Sequence, residues 1–252
     1  TVVRIQGRDV ASTAPSGAQA LVWNATASRW EPTTISGGGG GSTAVPRFST
    51  RRWYYATPRG LGGGGHTEVG LFVTNTLLAG GGTPTSTDSA YNEYTTAATT
   101  NSEAGAGGTN VVWSQTHELF EARGRLLATA GLRTWIGLTR NSLLDTDTPI
   151  WNSVAAFRYS TSASDATFKC VTCNESGTCT VADSSVAPDT NAHSWEIEHT
   201  GSTYVFRIDG TARCSITTTL PANGYGPLFG VRTLEAAAKS IRWYGFYGEA
   251  DR

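Results

Sequence analysis

The chain of 252 residues is long enough for one large β domain, or a domain with an appendage, and for a sizeable core. Its 38% hydrophobic residues, with 8 Trp, 9 Tyr and 8 Phe, are those of a folded protein, and its 30 glycines require many turns. The 19 Lys and Arg are scattered and offset by 20 Asp and Glu to a net charge of −1, which excludes the clustered basic footprint of a nucleic-acid binder; no apolar run approaches the roughly 18–20 residues that span a bilayer, and the opening TVVRIQGRDV lacks the apolar centre of a secretory signal.

Residues 1–35 differ in character from the rest of the chain. Residues 20–24 and 29–32 read as the two arms of a small hairpin bearing Leu21, Trp23 and Trp30. So short a segment falls below the roughly 40 residues at which a chain buries enough surface to fold alone. Its two tryptophans therefore need a partner surface, and we read the segment as an attachment or oligomerisation module; the plainer alternative is a hairpin tucked against the main domain. Residues 36–45, which open with SGGGGGS, form a flexible linker, because consecutive glycines behave as random coil.

The main domain is residues 46–252. Its clearest stretch is 193–221, in which residues 193–199, 204–209 and 211–219 alternate apolar and polar side chains. Period-two alternation marks half-buried strands, Gly201-Ser202 breaks the first pair, and Asp209-Gly210 is a strong hairpin signal because both residues tolerate positive φ. Further strands are expected at residues 51–57, 66–74, 111–113, 117–128, 132–140, 154–159, 167–172, 179–182, 227–232 and 240–248. Residues 80–110, rich in Gly, Ser, Thr and Ala around Tyr91 and Tyr94, are expected to hold one weak strand between long loops. The glycine-rich residues 59–65 lack both a following helix pattern and a Lys-Ser/Thr, which excludes a phosphate-cradling loop. Only residues 233–239 (TLEAAAK) favour helix, for a turn or two. Many short strands and almost no helix predict an all-β, two-sheet antiparallel sandwich, and the lack of a 20–50-residue repeat excludes a solenoid or propeller.

The order H-x-W-x-I-x-H, then Y-x-F-x-I-D-G-T, then a polar strand ending in Leu220-Pro221, is similar to the concanavalin A-like (laminin G, lectin and glucanase) jelly-roll sandwiches. It looks most like the versions on bacteriophage tail and fibre proteins, over about residue 46 to the end. That resemblance implies a jelly roll with its first and last strands, residues 51–57 and 240–248, side by side. Residues 14–17 (Ala-Pro-Ser-Gly) followed by LVWNATASRWEP resemble short modules near the N-termini of phage tail-fibre and virion-appendage proteins. Together the two resemblances imply a non-enzymatic structural protein of a phage virion: a fibre, appendage or head-decoration subunit on the particle surface. It would associate with other virion proteins, as a homotrimer by analogy with phage fibres, and touch host-surface polysaccharide or a neighbouring protein. No cofactor, metal, nucleic acid or membrane insertion is implied.

The alternative is a glycan depolymerase. Laminarinase-type glucanases on this fold carry carboxylates at alternate positions of one strand, as Glu-x-Asp-x-x-Glu, and Glu196 and Glu198 fall in that frame. Retaining hydrolysis needs two carboxyls about 5–5.5 Å apart, slightly less than an i, i+2 pair on a strand provides. The frame here lacks the third carboxylate and has Glu for the middle Asp, so the expectation is a solvent-facing strand edge with no catalytic residue. As glycan-binding candidates we take Glu196, Glu198 and Trp151, the last because it sits in a loop while the other tryptophans of the domain are expected in the core.

Four cysteines allow three connectivities. With residues 174–177 as a turn, Cys173 and Cys179 suit a hairpin disulfide; Cys170 lies on the opposite face, within reach of Cys214 on a neighbouring strand. Reduced thiols and zinc stay open, zinc ranking last because its knuckles usually pair two Cys-x2-Cys units. The four histidines lie on separate strands, and Asp145-x-Asp147 offers too few oxygens for calcium.

Overall fold

Alternating side chains become strands, joined at turns by residues that accept positive φ. The computed structural model describes residues 4–5, 8–11, 19–34, 51–56, 74–77, 83–88, 91–108, 117–140, 143–149, 153–222 and 226–251, and among them there is no helix. The chain divides into two units, Thr1–Ser49 and Thr50–Arg252.

The first unit holds β1 (Arg4–Ile5) paired with β2 (Arg8–Asp9), and β3 (Gln19–Asn24) paired with β4 (Arg29–Thr34). Trp23 and Trp30 are cross-strand partners, with rings edge to face at 5.8 Å. Of residues 9–11 and 22–33, whose burial is described, none is buried, and Val22 is exposed.

The second unit continues with β5 (Arg51–Ala56), β6 (Thr74–Leu77), β7 (Thr83–Asp88), β8 (Tyr91–Thr95), β9 (Glu103–Gly108), β10 (His117–Leu126), β11 (Leu132–Thr139) and β12 (Val154–Ser160). It ends with β13 (Lys169–Cys173), β14 (Cys179–Asp183), β15 (His193–Thr200), β16 (Thr203–Ile208), β17 (Thr211–Ile216), β18 (Gly226–Thr233) and β19 (Ser240–Asp251). One sheet has the order β17-β16-β15-β10-β19-β8-β7, with β5 also on β19; the other has β14-β13-β12-β11-β18-β9-β6. The expected neighbours β5 and β19 do pair, through Ala56↔Phe246 to Arg51↔Asp251. Asp209 and Gly210, at φ 52° and 72°, make the turn between β16 and β17.

Two expectations need correction. Residues 80–110 contain three strands, β7, β8 and β9, where one was expected. The small residues that read as loop are there because backbones meet: a Cβ on Gly105 would lie 2.5 Å from the Gly230 Cα. Residues 234–237 form bends, not a helical turn, and the Thr233 hydroxyl donates to the Ala237 carbonyl at 2.7 Å. The strand expected at 111–113, and residues 66–73 of the one expected at 66–74, lie outside the described residues.

Between the sheets lies the main core. Phe157 of β12 meets Phe206 of β16 at 5.2 Å, and Trp195 of β15 meets Phe229 of β18 at 5.7 Å. A second apolar cluster sits on the far face of the seven-stranded sheet, where Leu143 and Leu144 cover Trp135, Val154, Ala156, Val171 and Leu228. The covering segment is held by polar bonds: Arg133 Nε to Asp147 Oδ1 at 2.6 Å, Arg133 Nη1 to the Leu144 carbonyl, and Trp135 Nε1 to the Thr146 carbonyl. Burial opposes ionisation of Asp147, but Arg133 and the hydroxyls of Ser160 and Ser162 outweigh it and hold the carboxyl well below the usual range. Asp147 is thus a structural partner of arginine rather than half of a calcium pair.

Cys170 on β13 is bonded to Cys214 on β17, so this bridge ties one sheet to the other across a separation of 44 residues. Cys173 is bonded to its cross-strand partner Cys179, closing the β13–β14 hairpin. No cysteine is left as a thiolate for zinc. Replacing Cys170 and Cys214 together by Ala is expected to lower the unfolding free energy by about 3 kcal/mol, the typical contribution of a loop-closing bridge. Urea unfolding measures it, and an unchanged midpoint would show that the sheets hold together without the bond.

Candidate functional site

The burial of the two sheets decides which face can receive a ligand. Along β11 every residue is buried, and along β12 every residue except Arg158, because this sheet is covered on both sides. β10, β15 and β16 instead alternate buried with half-buried or exposed residues, so the outer face of the eight-stranded sheet is open over them.

Across that face runs a row set by the register: Arg207 of β16, Glu196 of β15, Glu121 of β10 and Tyr247 of β19 are successive cross-strand partners. Two glutamates directly opposite one another repel. Arginines offset them: Arg123 Nε bonds Glu121 Oε1 at 2.7 Å, while Arg207 reaches Glu196 through Nη1 and Glu198 through Nη2, the latter at 2.8 Å. Burial works against the Arg207 charge, but the carboxylates of Glu198 and Glu196 more than compensate and raise its pKa. Glu196 and Glu198 therefore lie together on one face, as the spacing implied. They do not lie on a strand edge, however: β15 is flanked by β10 and β16. The third carboxylate comes from another strand, as Glu121, which no motif along residues 193–201 could reveal.

Beside this row the sheet carries a depression of about 440 Å³, lined by Glu121, Arg123, Tyr244, Gly245, Phe246 and Tyr247. It exists because β19 bulges. Arg123 pairs with Gly245 and Gly124 with Trp243, leaving Tyr244 as the extra residue. Trp243 and Phe246 consequently both point into the core although three apart, and Tyr244 and Tyr247 stand half-buried on the outer side of Gly245, which has no side chain to fill the gap. A bulge commonly re-aims side chains in this way next to binding sites. Tyr244 also meets Tyr91 of β8 edge to face at 6.2 Å, and the Arg242 guanidinium lies 4.6 Å from the Tyr91 ring centre.

The remaining candidates fall elsewhere. Trp151 lies outside the described residues. Trp135, Trp195 and Trp243 are fully buried in the cores. Among the described residues no group of three or more His, Cys, Asp and Glu could hold a metal. Of the histidines, His117 is exposed, His199 is buried and stacked 4.2 Å from Tyr204, and His66 lies outside the described residues. His193 bridges Asp209 Oδ2 at 2.6 Å and Asp189 Oδ1 at 2.9 Å. Burial alone would lower its pKa, but the two carboxylates prevail and raise it.

A histidine whose folded pKa is raised contributes stability that is complete below its unfolded value of about 6.5 and is lost as pH rises through the folded value. His193→Gln is therefore expected to destabilise the protein most at about pH 6 and progressively less toward pH 8. Thermal unfolding across that window checks it, and a gap that widens with pH would reverse the assignment.

No protein-family model matches the chain, and no curated protein does. Solved structures match it in fold. A protein of unknown function from Shewanella oneidensis MR-1 matches with a TM-score of 0.57 at 12% identity, over 80% of this chain and 87% of that one. The β-glucanase of Bacillus licheniformis matches with a TM-score of 0.52 at 10% identity, over 80% and 99%. The apo Crh5 transglycosylase matches with a TM-score of 0.54 at 14% identity, over 79% and 84%. Likeness at such identities shows the fold alone, an all-β, two-sheet jelly-roll sandwich of the concanavalin A-like kind.

Proposed function

We propose that this chain is a non-enzymatic glycan-binding subunit of a phage virion (a fibre, appendage or head-decoration protein), whose jelly roll binds host-surface polysaccharide on the open face of its eight-stranded sheet. The observation that carries the binding half is the depression between Tyr244 and Tyr247. Flat rings there suit the apolar face of a pyranose, and the carboxylate of Glu121 and guanidinium of Arg123 suit its hydroxyls. The virion half rests on the resemblance of residues 14–32 to appendage modules. It is supported by the first unit's exposure: of residues 9–11 and 22–33, whose burial is described, none is buried, Trp23 and Trp30 included.

A non-catalytic role is favoured by Arg207. Glycoside hydrolysis requires one carboxyl to hold its proton while the other attacks or activates water. Here a single guanidinium engages an oxygen of Glu196 and another of Glu198. The depolymerase alternative keeps one observation in its favour, the placement of Glu121 opposite Glu196.

Binding of the full chain to host-cell envelope polysaccharide, with released reducing ends assayed in the same tube, separates the two. Binding without release is expected, and Tyr247→Ala should weaken it about tenfold, or roughly 1.4 kcal/mol. Release that disappears in Glu196→Gln would establish the enzyme instead, and absence of binding would overturn the glycan reading. For assembly, the full chain is expected to be oligomeric and a chain lacking residues 1–42 folded but monomeric by light scattering. A truncated chain that stays oligomeric would remove the assembly role from residues 1–35.

A further inference from the structure

The charges on the open face do not balance evenly along it. On the side of β16, Glu196 and Glu198 share the one cation Arg207. On the side of β8 the excess is reversed. Arg123 and Arg125 stand two residues apart on the outer face of β10, and Arg125 is the direct cross-strand partner of Arg242 on β19. Like charges directly opposite one another destabilise a sheet unless something compensates them. Arg242 has compensation: its Nε lies 2.6 Å from Glu93 Oε2, a contact that raises its pKa, and its guanidinium stacks on Tyr91. Arg123 has Glu121. Arg125 has no ion pair with any described residue, and its Nε is shut off from water without a hydrogen-bond partner.

Resting on the glycan-binding reading, we propose that the ligand is acidic, and that a negatively charged ring substituent is held by Arg125, with Arg123 and Arg242 beside it. Three guanidiniums face two carboxylates in this patch, and Arg125 is the one without a carboxylate of its own. An anion beside the Arg125 guanidinium offsets its unpaired charge and removes the repulsion from Arg242 in one step. Guanidinium is also the side chain best shaped for carboxylates and other oxyanions, which it binds through paired N–H groups. The position suits a sugar chain. Arg123 lines the depression and Arg125 lies one strand repeat farther along the same face, roughly 7 Å. A pyranose seated between Tyr244 and Tyr247 thus places its own substituent, or the next ring, at Arg125. The same asymmetry gives the ligand a direction, toward Arg125 and Arg242 and away from Glu198.

Carboxylated and sulfated glycans share this chemistry, and two polymer pairs distinguish them. The full chain is titrated with polygalacturonate and with the same polymer after its carboxylates are reduced to alcohols, then with dextran sulfate and with dextran. In at least one pair the charged member is expected to bind at least about tenfold tighter than the neutral one (1.4 kcal/mol or more). The pair that shows the difference identifies the anion. Arg125→Gln should abolish that preference while raising the melting temperature, since it removes the opposed charge; a lost preference in a folded variant cannot be laid to unfolding. Arg213→Gln, an exposed residue on β17, removes the same charge from another strand and should leave the preference unchanged. Equal binding within both pairs, a preference that survives Arg125→Gln, or an equal loss in Arg213→Gln would each overturn the inference. Binding to none of the four polymers would overturn it too, whereas the broader glycan reading is judged separately on envelope polysaccharide.

Discussion

The seating of residues 143–149 on the seven-stranded sheet is the constraint on which the rest of the domain depends. Arg133, Trp135 and Arg158 project from β11 and β12 on the side away from the main core, where a sandwich normally meets water. Here Leu143 and Leu144 cap that side, Arg133 grips Asp147, and Arg158 donates to the Asp147 carbonyl while pairing with Asp165. The sheet is buried on both faces and has no surface left to offer over these strands. Over β11 and β12, a sheet face open to recognition is found on the other sheet alone.

On the other sheet, the depression begins with a packing problem. Gly124 of β10 sits where a Cβ would strike the Phe229 ring at 2.4 Å, so the main core leaves no side-chain room at that point. There the register between β10 and β19 shifts, Tyr244 becomes the extra residue, and the outer surface hollows above Gly245. The depression is thus the outside of an accommodation made inside. A regular β19 would place residues 244 and 246 outward in turn; the bulge sends Phe246 to the core and puts Tyr244 and Tyr247 on either side of a glycine. Fold alone does not fix function, but this local departure is a feature of this chain.

Much of the fold was legible in the sequence because one face of each alternating strand is buried. The meander of β15, β16 and β17, with its Asp209-Gly210 turn, follows from period two alone, as does the placing of Cys170 and Cys173 on opposite faces. Where both faces are buried, as along β11, or where backbones approach at Gly105 and Gly230, the composition stops resembling a half-exposed strand; this is why β9 was hidden among loop-like residues. The pair Glu196 and Glu198 was legible for the same reason as the meander. Glu121 and Arg207 were not, since register between strands is settled by tertiary packing. Tyr244 and Tyr247 left a trace in the spacing of Trp243 and Phe246, three apart around a glycine, but a break in alternation shows a bulge only once the partner strand is known.

The open face also shows why charge counts along a sequence say little about a site. The formal charge of −1 is nearly neutral, and most cations on this face are indeed matched: Arg207 by two carboxylates, Arg123 by Glu121, Arg242 by Glu93. Each match crosses strands or spans two residues of one strand, so it is a property of the register. Exposed pairs of this kind contribute at most about 1 kcal/mol each to stability, too little to explain so many of them by folding alone. Their more consequential effect is to hold long side chains in fixed positions beside the depression, so that less entropy is lost when a ligand orders them further. Among the described cations around the depression, Arg125 is the one that such a match does not hold.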